Sequence, residues 1–300
     1  MIVAVVVTYQ PDAEVLDRLL RAIRHQVARV VVVDNGSSRG IDKILGQALL
    51  SDPWCELVRL PENLGIAAAL NIGIERARKA GADFVMLSDQ DSEPASDMVE
   101  RLLEVATTKA KMGFEVAAVG PRYSDERNEN PAVFVKVRGL LFTRQTCLDD
   151  DSVFEVDFLI SSGSLIPLAA LDAIGEMRED LFIDYVDIEW GLRAKRAGFQ
   201  LFGVCCARMQ HNIGDEPIHV FGRTVPCHSP LRHYYEFRNA ARLYCETGVA
   251  WNWKIAYGWR LLLKYVAYSL LAKPRHEHWW MMTLGIAHGL AGRMGRLDRR

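Results

Sequence analysis

Apolar and polar positions fall into blocks along the first hundred residues, and the period of each block predicts its element. Residues 2–7 are a β-branched run ending at Thr8-Tyr9-Gln10-Pro11, the pattern of a buried strand entering a loop. Leu16, Leu19, Leu20 and Ile23 then recur at helical spacing. A second apolar run, residues 30–33, stops at Asp34-Asn35-Gly36-Ser37-Ser38. Residues 57–60 predict a third strand before Pro61-Glu62-Asn63-Leu64-Gly65, and an alanine-rich helix over 66–80 closes at Gly81. Residues 84–87 predict a fourth strand, ended by Ser88-Asp89-Gln90-Asp91-Ser92, after which Ser92-Glu93-Pro94 opens a helix. Strands alternating with helices predict an α/β fold built of parallel βαβ units. The polar loops follow the carboxyl ends of the strands, where open α/β sheets bind ligands.

Further along, residues 116–119 predict another strand and the polar stretch 124–130 a surface loop. Residues 158–165 predict a strand and tight turn, 168–174 a short helix, 182–196 a longer helix with Gly198 as its C-cap, and 201–205 a strand. From Ser229 the chain predicts long, aromatic-rich helices. Lys254, Arg260 and Lys264 interrupt residues 249–271 too often for a membrane span, which needs about 18 or more apolar residues. Three readings stay open for this region: a helix packed on the preceding domain, a dimer contact, or an amphipathic helix at a membrane interface.

Composition narrows the classes. Of 300 residues, 50% are hydrophobic and 25% charged, as in a folded globular protein, and a net charge of −2 gives no overall reason to expect a nucleic-acid partner. The charge is uneven, because after Trp251 only Glu277 and Asp298 oppose nine basic residues. Six scattered cysteines without a CxxC pair predict a reducing compartment, with Cys205 and Cys206 read as small buried hydrophobes. The N-terminal apolar run is short and has no basic leader or cleavage site, so a cytoplasmic protein, bare or peripheral on the inner face of the membrane, is expected.

Candidate chemistry clusters in the strand-end loops. Asp89 and Asp91 flank one residue, a spacing that lets two carboxylates share a hard divalent cation such as Mg²⁺ or Mn²⁺ with diphosphate oxygens. The same tripeptide can be a solvated turn or a helix cap. Downstream, Asp180-Leu-Phe-Ile-Asp-Tyr-Val-Asp-Ile-Glu-Trp190 is rich in carboxylates, Gln210-His211-Asn212-Ile213-Gly214 follows a strand, and Arg232-His-Tyr-Tyr-Glu-Phe-Arg-Asn239 opens a helix.

Taken in order, these segments resemble family 2 glycosyltransferases of the GT-A fold, a Rossmann-like, mostly parallel sheet flanked by helices. The resemblance implies a catalytic domain over 1–240 and a helical C-terminal extension over 241–300, membrane-interfacial or dimerising. It implies that Thr8, Tyr9 and Asp34 lie near the base and ribose of a nucleotide-sugar donor. Asn63, Asn71 and Asp89 fall on its donor-binding side, and Arg238 either braces the diphosphate or merely opens a helix. Asp89, Asp91 and His211 would form the metal site, although a lone histidine has many plainer roles. Matched position by position, Asp187 is the general base that takes the acceptor hydroxyl proton in an inverting transfer. The family often has Glu-Asp where this chain has Val186-Asp187, so a neighbouring carboxylate is missing. Asp184 and Glu189 would assist the base, touch the acceptor, or be exposed helix charges; Trp190 would be core or an acceptor platform; Arg193 braces its helix. Asp89-Gln90-Asp91-Ser92, Ile160-Ser161-Ser162-Gly163 and the segment 181–190 narrow the resemblance to bacterial rhamnosyltransferases. These use dTDP-β-L-rhamnose and a saccharide or lipid-linked acceptor. Other readings are a family 2 transferase of another nucleotide sugar, or a non-catalytic sugar-nucleotide-binding scaffold. A nucleotidyltransferase is disfavoured, because the loop 8–12 has no glycine-rich, basic triphosphate cradle.

Overall fold

The computed structural model describes residues 1–38, 40–124, 134–211, 218–220, 223–225 and 227–297, leaving out the side chains at 47–48, 211, 218–220 and 223–225. The first half follows the predicted alternation: β1 (Ile2–Thr8), α1 (Ala13–Ile23), β2 (Arg29–Asp34), α2 (Ile41–Leu50), β3 (Cys55–Arg59), α3 (Ile66–Lys79) and β4 (Phe84–Asp89). Then come β5 (Ser92–Pro94), α4 (Met98–Lys111), β6 (Val116–Ser124), β7 (Phe134–Arg138), β8 (Leu141–Gln145), β9 (Val153–Val156), β10 (Leu165–Pro167) and α5 (Leu168–Ile174). A 3-10 turn, Glu179–Leu181, leads to α6 (Val186–Arg196), β11 (Gln200–His211), β12 (Ile218–Val220), β13 (Arg223–Val225), α7 (Pro230–Cys245), α8 (Trp251–Leu271) and α9 (Arg275–Leu290).

One sheet carries the molecule, with strand order β3-β2-β1-β4-β10-β6-β11-β5 and β9 joined to β11. It is parallel through β3, β2, β1 and β4, as expected. The far half is mixed: β10 runs antiparallel to both β4 and β6, and β11 runs parallel to β6 but antiparallel to β5 and β9. Because side chains alternate across a strand, the valine runs feed two cores. Val3, Val5, Val7, Val31 and Val33 pack under α3, α5 and α6. Ala4, Val6, Val30 and Val32 pack under α1, α2 and α4.

Four expectations change. Residues 158–164, predicted as a strand and tight turn, hold no strand, and β10 begins only at Leu165. Ser92-Glu93-Pro94 does not open a helix; it pairs with β11, and α4 begins only at Met98. The helix predicted from 182 begins at Val186, because Phe182, Asp184 and Tyr185 take positive φ angles of 63°, 62° and 64°. Cys205, expected as a small buried hydrophobe, is joined to Cys147 in a disulfide with the Cα atoms 5.6 Å apart, while Cys206 keeps a free, half-buried thiol. Most of the predicted 124–130 loop lies outside the described residues.

Among the described residues, no helix is long and apolar enough to cross a membrane. The 240/241 boundary falls inside α7, which packs along α9 at backbone distance. A Cβ on Gly285 or Gly289 would lie 2.4 Å from the Tyr234 carbonyl oxygen or 2.2 Å from that of Arg238. Gly289→Ala is therefore expected to lower the urea midpoint at unchanged m, by the equivalent of about 1–3 kcal/mol. A midpoint equal to the parent's would show that α9 can slide off α7 without cost.

Candidate active site

The parallel half of the sheet delivers three polar residues to one edge. Thr8 pairs with Asp34 across β1 and β2, and Val7 pairs with Asp89 across β1 and β4. Thr8 is fully buried, and its Oγ1 donates to Asp34 Oδ1 at 3.3 Å, an oxygen that also accepts from Ser37 Oγ. Two hydroxyl donors thus orient Asp34 at the strand end through Oδ1. The Tyr9 ring is 47% exposed while its backbone is fixed, because Gln90 Oε1 accepts from the Tyr9 N–H at 2.8 Å and Gln90 Nε2 donates to the Tyr9 carbonyl at 3.3 Å. Gln90, the middle of Asp89-Gln90-Asp91, therefore ties the acidic loop to the loop after β1. Ser162 supports the same loop: its Oγ accepts from the Asp89 N–H at 3.0 Å and bonds Ser92 Oγ. The motifs that contain Gln90 and Ser162 carry no signal for these supporting roles.

Around Asp187 the geometry is set by α7. The turn from Asp180 to Tyr185 holds three non-glycine residues at positive φ, each a conformation that costs free energy unless its surroundings impose it. Asn239 Nδ2 donates to the carbonyls of Leu181, Ile183 and Asp184 at 2.8–2.9 Å. Arg238 donates to the carbonyls of Asp180, Leu181 and Gly295, and its guanidinium stacks 4.8 Å from the Tyr235 ring centre. Phe182 stacks on Tyr235 at 4.9 Å, and its carbonyl accepts from the Ile66 N–H at 2.7 Å. Gly65 allows that approach: its φ is 91°, and a Cβ there would sit 2.5 Å from the Phe182 carbonyl oxygen.

So held, Asp187 stands in the first turn of α6, with Oδ1 accepting from the Ile188 N–H at 2.8 Å. Burial raises its carboxyl to about 6; the Ile188 N–H opposes this, and the charges of Asp184 and Asp89 add to it. A carboxylate raised toward neutrality is better matched to proton abstraction than an ordinary one. The effect of Asp89 also places the acidic loop and Asp187 within electrostatic reach of each other.

Several expected site residues sit elsewhere. Arg238 is wholly buried and spends its donors on backbone carbonyls and on Asn239 Oδ1, so it braces the turn, not a diphosphate. Asn71 is buried against Met177 and Glu179: Nδ2 donates to the Met177 carbonyl and Glu179 Oε1, and Oδ1 accepts from the Met177 N–H. Donor contact is thereby closed to it. Asn63 Oδ1 accepts from Gly65 N–H and Asn35 Nδ2, which makes it a loop support. Trp190 is core, with Nε1 on the Gly175 carbonyl, and not an acceptor platform. Asp184 is paired with Arg232 at 3.2 Å, and Glu189 with Arg193, which also braces the Ile174 and Glu176 carbonyls. The His211 side chain lies outside the described residues; its backbone pairs with Ser92, next to Asp91. Among the described residues no three His, Cys, Asp or Glu side chains converge as a metal site.

Comparison with known proteins fits this frame. The family profile described as glycosyl transferase family 2 matches residues 3–158, more than half the chain. This chain belongs to that family. The transferase is 34% identical to the dTDP-rhamnosyl transferase RfbF of Shigella flexneri over 80% of its own length and 78% of that protein's. It is 28% identical to the galactofuranosyltransferase GlfT1 of Mycolicibacterium smegmatis over 88% and 90%. Its fold is that of GT-A glycosyltransferases. The structure of GalNAc-T7 with UDP, GalNAc and Mn²⁺ superposes with a TM-score of 0.61 at 14% identity, over 97% of this chain and 56% of that one. The structure of Staphylococcus aureus TarS 1-349 with UDP-GlcNAc gives 0.59 at 14% identity, over 96% and 81%.

The raised Asp187 carboxyl makes a stability prediction with a definite sign. Between its unfolded value of 3.8 and about 6 the native state binds the extra proton, so stability falls as pH rises through that window. In metal-free protein, Asp187→Asn is expected to stabilise by about 1–2 kcal/mol near pH 8, a gain that vanishes below about pH 4. A gain independent of pH would show that the carboxyl is not shifted.

Proposed function

We propose that this transferase moves L-rhamnose from dTDP-β-L-rhamnose, with inversion, to a saccharide or lipid-linked acceptor of a cell-surface glycan. The 34% identity to a dTDP-rhamnosyl transferase over most of both chains carries the choice of donor. In this reading the exposed Tyr9 ring stacks on the base, and Asp34, oriented by Thr8 and Ser37, accepts from the nucleoside. Asp89 and Asp91 would hold Mg²⁺ or Mn²⁺, with His211 beside them; two carboxylates at a strand end suit a hard cation completed by diphosphate oxygens. When bound, the metal would neutralise charge on the departing diphosphate. Asp187 takes the proton of the acceptor hydroxyl as that oxygen bonds the anomeric carbon and the bond to dTDP breaks. The GalNAc-T7 structure with UDP and Mn²⁺ supports metal use at the level of the fold. Because residues 3–158 alone match the family profile, the role of Asp187 rests on its place in the first turn of α6, its raised carboxyl and the resemblance of its segment.

A screen of nucleotide-sugar donors tests this. With Mg²⁺ or Mn²⁺, release of nucleoside diphosphate is expected from dTDP-rhamnose and not from UDP-glucose, UDP-galactose or GDP-mannose. Chelator is expected to abolish it, and Asp91→Asn and Asp187→Asn to lower it by about 10²-fold or more, with dTDP binding kept in the second. Turnover of another donor would move the sugar assignment and leave the family standing; full cellular function in Asp187→Asn would instead favour a binding scaffold.

We further propose a cytoplasmic enzyme whose helix α8 lies against the inner membrane face. Trp251, Ile255, Trp259, Leu262, Val266 and Leu270 recur at helical spacing and are exposed, and Lys273 and Arg275 follow at the end of the stripe. Sedimentation with vesicles containing anionic lipid is expected for the parent and reduced at least tenfold in Trp259→Asp. A stable dimer in solution that hides this stripe would assign it to a second copy of the chain.

A further inference from the structure

Two strands along the sheet edge from Asp89 lies a cavity that the nucleotide end does not use. Since β10 is antiparallel to both β4 and β6, those two strands point the same way. Leu165 of β10 faces both Met86 and Val119, so Gly120, Pro121 and Tyr123 stand level with the Asp89 loop. At a spacing of about 4.8 Å per strand, the cavity begins about 10 Å from that loop. It has a volume of about 270 Å³, close to the lower end of the ~300–1,000 Å³ of small-molecule sites, and so has room for one sugar ring and not a chain of them.

Its walls suit such a ring. Tyr185 and Ile188, on either side of Asp187 in sequence, form one side. Phe158 and Tyr257 give it aromatic surface, with Tyr257 held against Trp253 by stacking at 4.1 Å. Glu236, Arg260 and Lys264 supply hydrogen-bonding groups. Glu236 is more than nine-tenths buried; one carboxylate oxygen takes Lys264 Nζ, and the other has no hydrogen-bond partner. A buried carboxylate oxygen left without a donor is costly, and a hydroxyl entering the cavity is the kind of donor it lacks. The Asp187 charge acts on Tyr257, which puts the cavity wall and the base within electrostatic reach.

We propose that this cavity is the acceptor subsite, that it takes a neutral monosaccharide residue of the acceptor, and that Glu236 of α7 and Arg260 of α8 fix the ring by hydrogen bonds to its hydroxyls. The assignment rests on the transferase reading. It makes α8 a wall of the active site as well as a C-terminal helix.

The test uses the full chain with Mg²⁺ and dTDP, titrated with the methyl glycosides of α-L-rhamnose, β-D-galactose, α-D-mannose and β-D-N-acetylglucosamine, binding being read by saturation-transfer NMR. At least one glycoside is expected to bind the parent. Its affinity should fall at least tenfold in Glu236→Gln and at least threefold in the exposed Arg260→Ala, while calorimetric affinity for dTDP stays within twofold. Absence of binding by all four, or binding that survives both substitutions, overturns the proposal. If dTDP itself fails to bind the parent, the nucleotide assignment falls, and the same titration without nucleotide still reads the cavity by the same criteria.

Discussion

The structure depends on a clamp between two side chains and one turn. Arg238 and Asn239 together hold the backbone from Asp180 to Asp184, and Tyr235 supports Phe182 beneath it. Without those bonds, nothing in the local sequence would keep Phe182, Asp184 and Tyr185 at positive φ. The position of Asp187 is therefore a tertiary property, imposed by α7 and backed by α9.

Along the sheet edge the site has a linear order. Asp34 and Thr8 end β2 and β1, Asp89 and Gln90 end β4, and Gly120–Tyr123 lie level with them on β6. A donor nucleotide at one end and an acceptor ring at the other would meet opposite Asp187. The two halves are joined directly, because the Phe182 carbonyl accepts from Ile66 at the start of α3.

Much of this was legible in the chain. Valine runs with polar ends gave the parallel half, since a β-branched run can bury both faces only in a covered sheet. The heptad-like spacing of Leu16, Leu19, Leu20 and Ile23 gave α1, all four being buried. The acidic tripeptide and Asp187 are marked by motifs, and they stand at the end of β4 and in the first turn of α6. The turn at 182–185 was not, because aromatic and acidic residues carry no signal for positive φ. Arg238 was drawn toward the diphosphate by its charge, yet a guanidinium also satisfies backbone carbonyls, and burial decided between the two. The expectations for Asn71 and Asn63 rest on the same ambiguity, since a side-chain amide serves a loop as readily as a ligand. Ser92 to Pro94 looked like a cap, but the partner strand β11 lies over a hundred residues away, beyond the reach of a local pattern.

The contact of Gly285 and Gly289 with the α7 backbone has a consequence for how such enzymes diversify. If relatives exchange C-terminal helices to change acceptors, the exchange cannot be modular. A foreign segment would have to match α7 at van der Waals distance, or it would disturb the support of Asp187 along with the cavity it was meant to reshape. Change in the C-terminal helices and change around Asp187 are thereby coupled, because both act through α7.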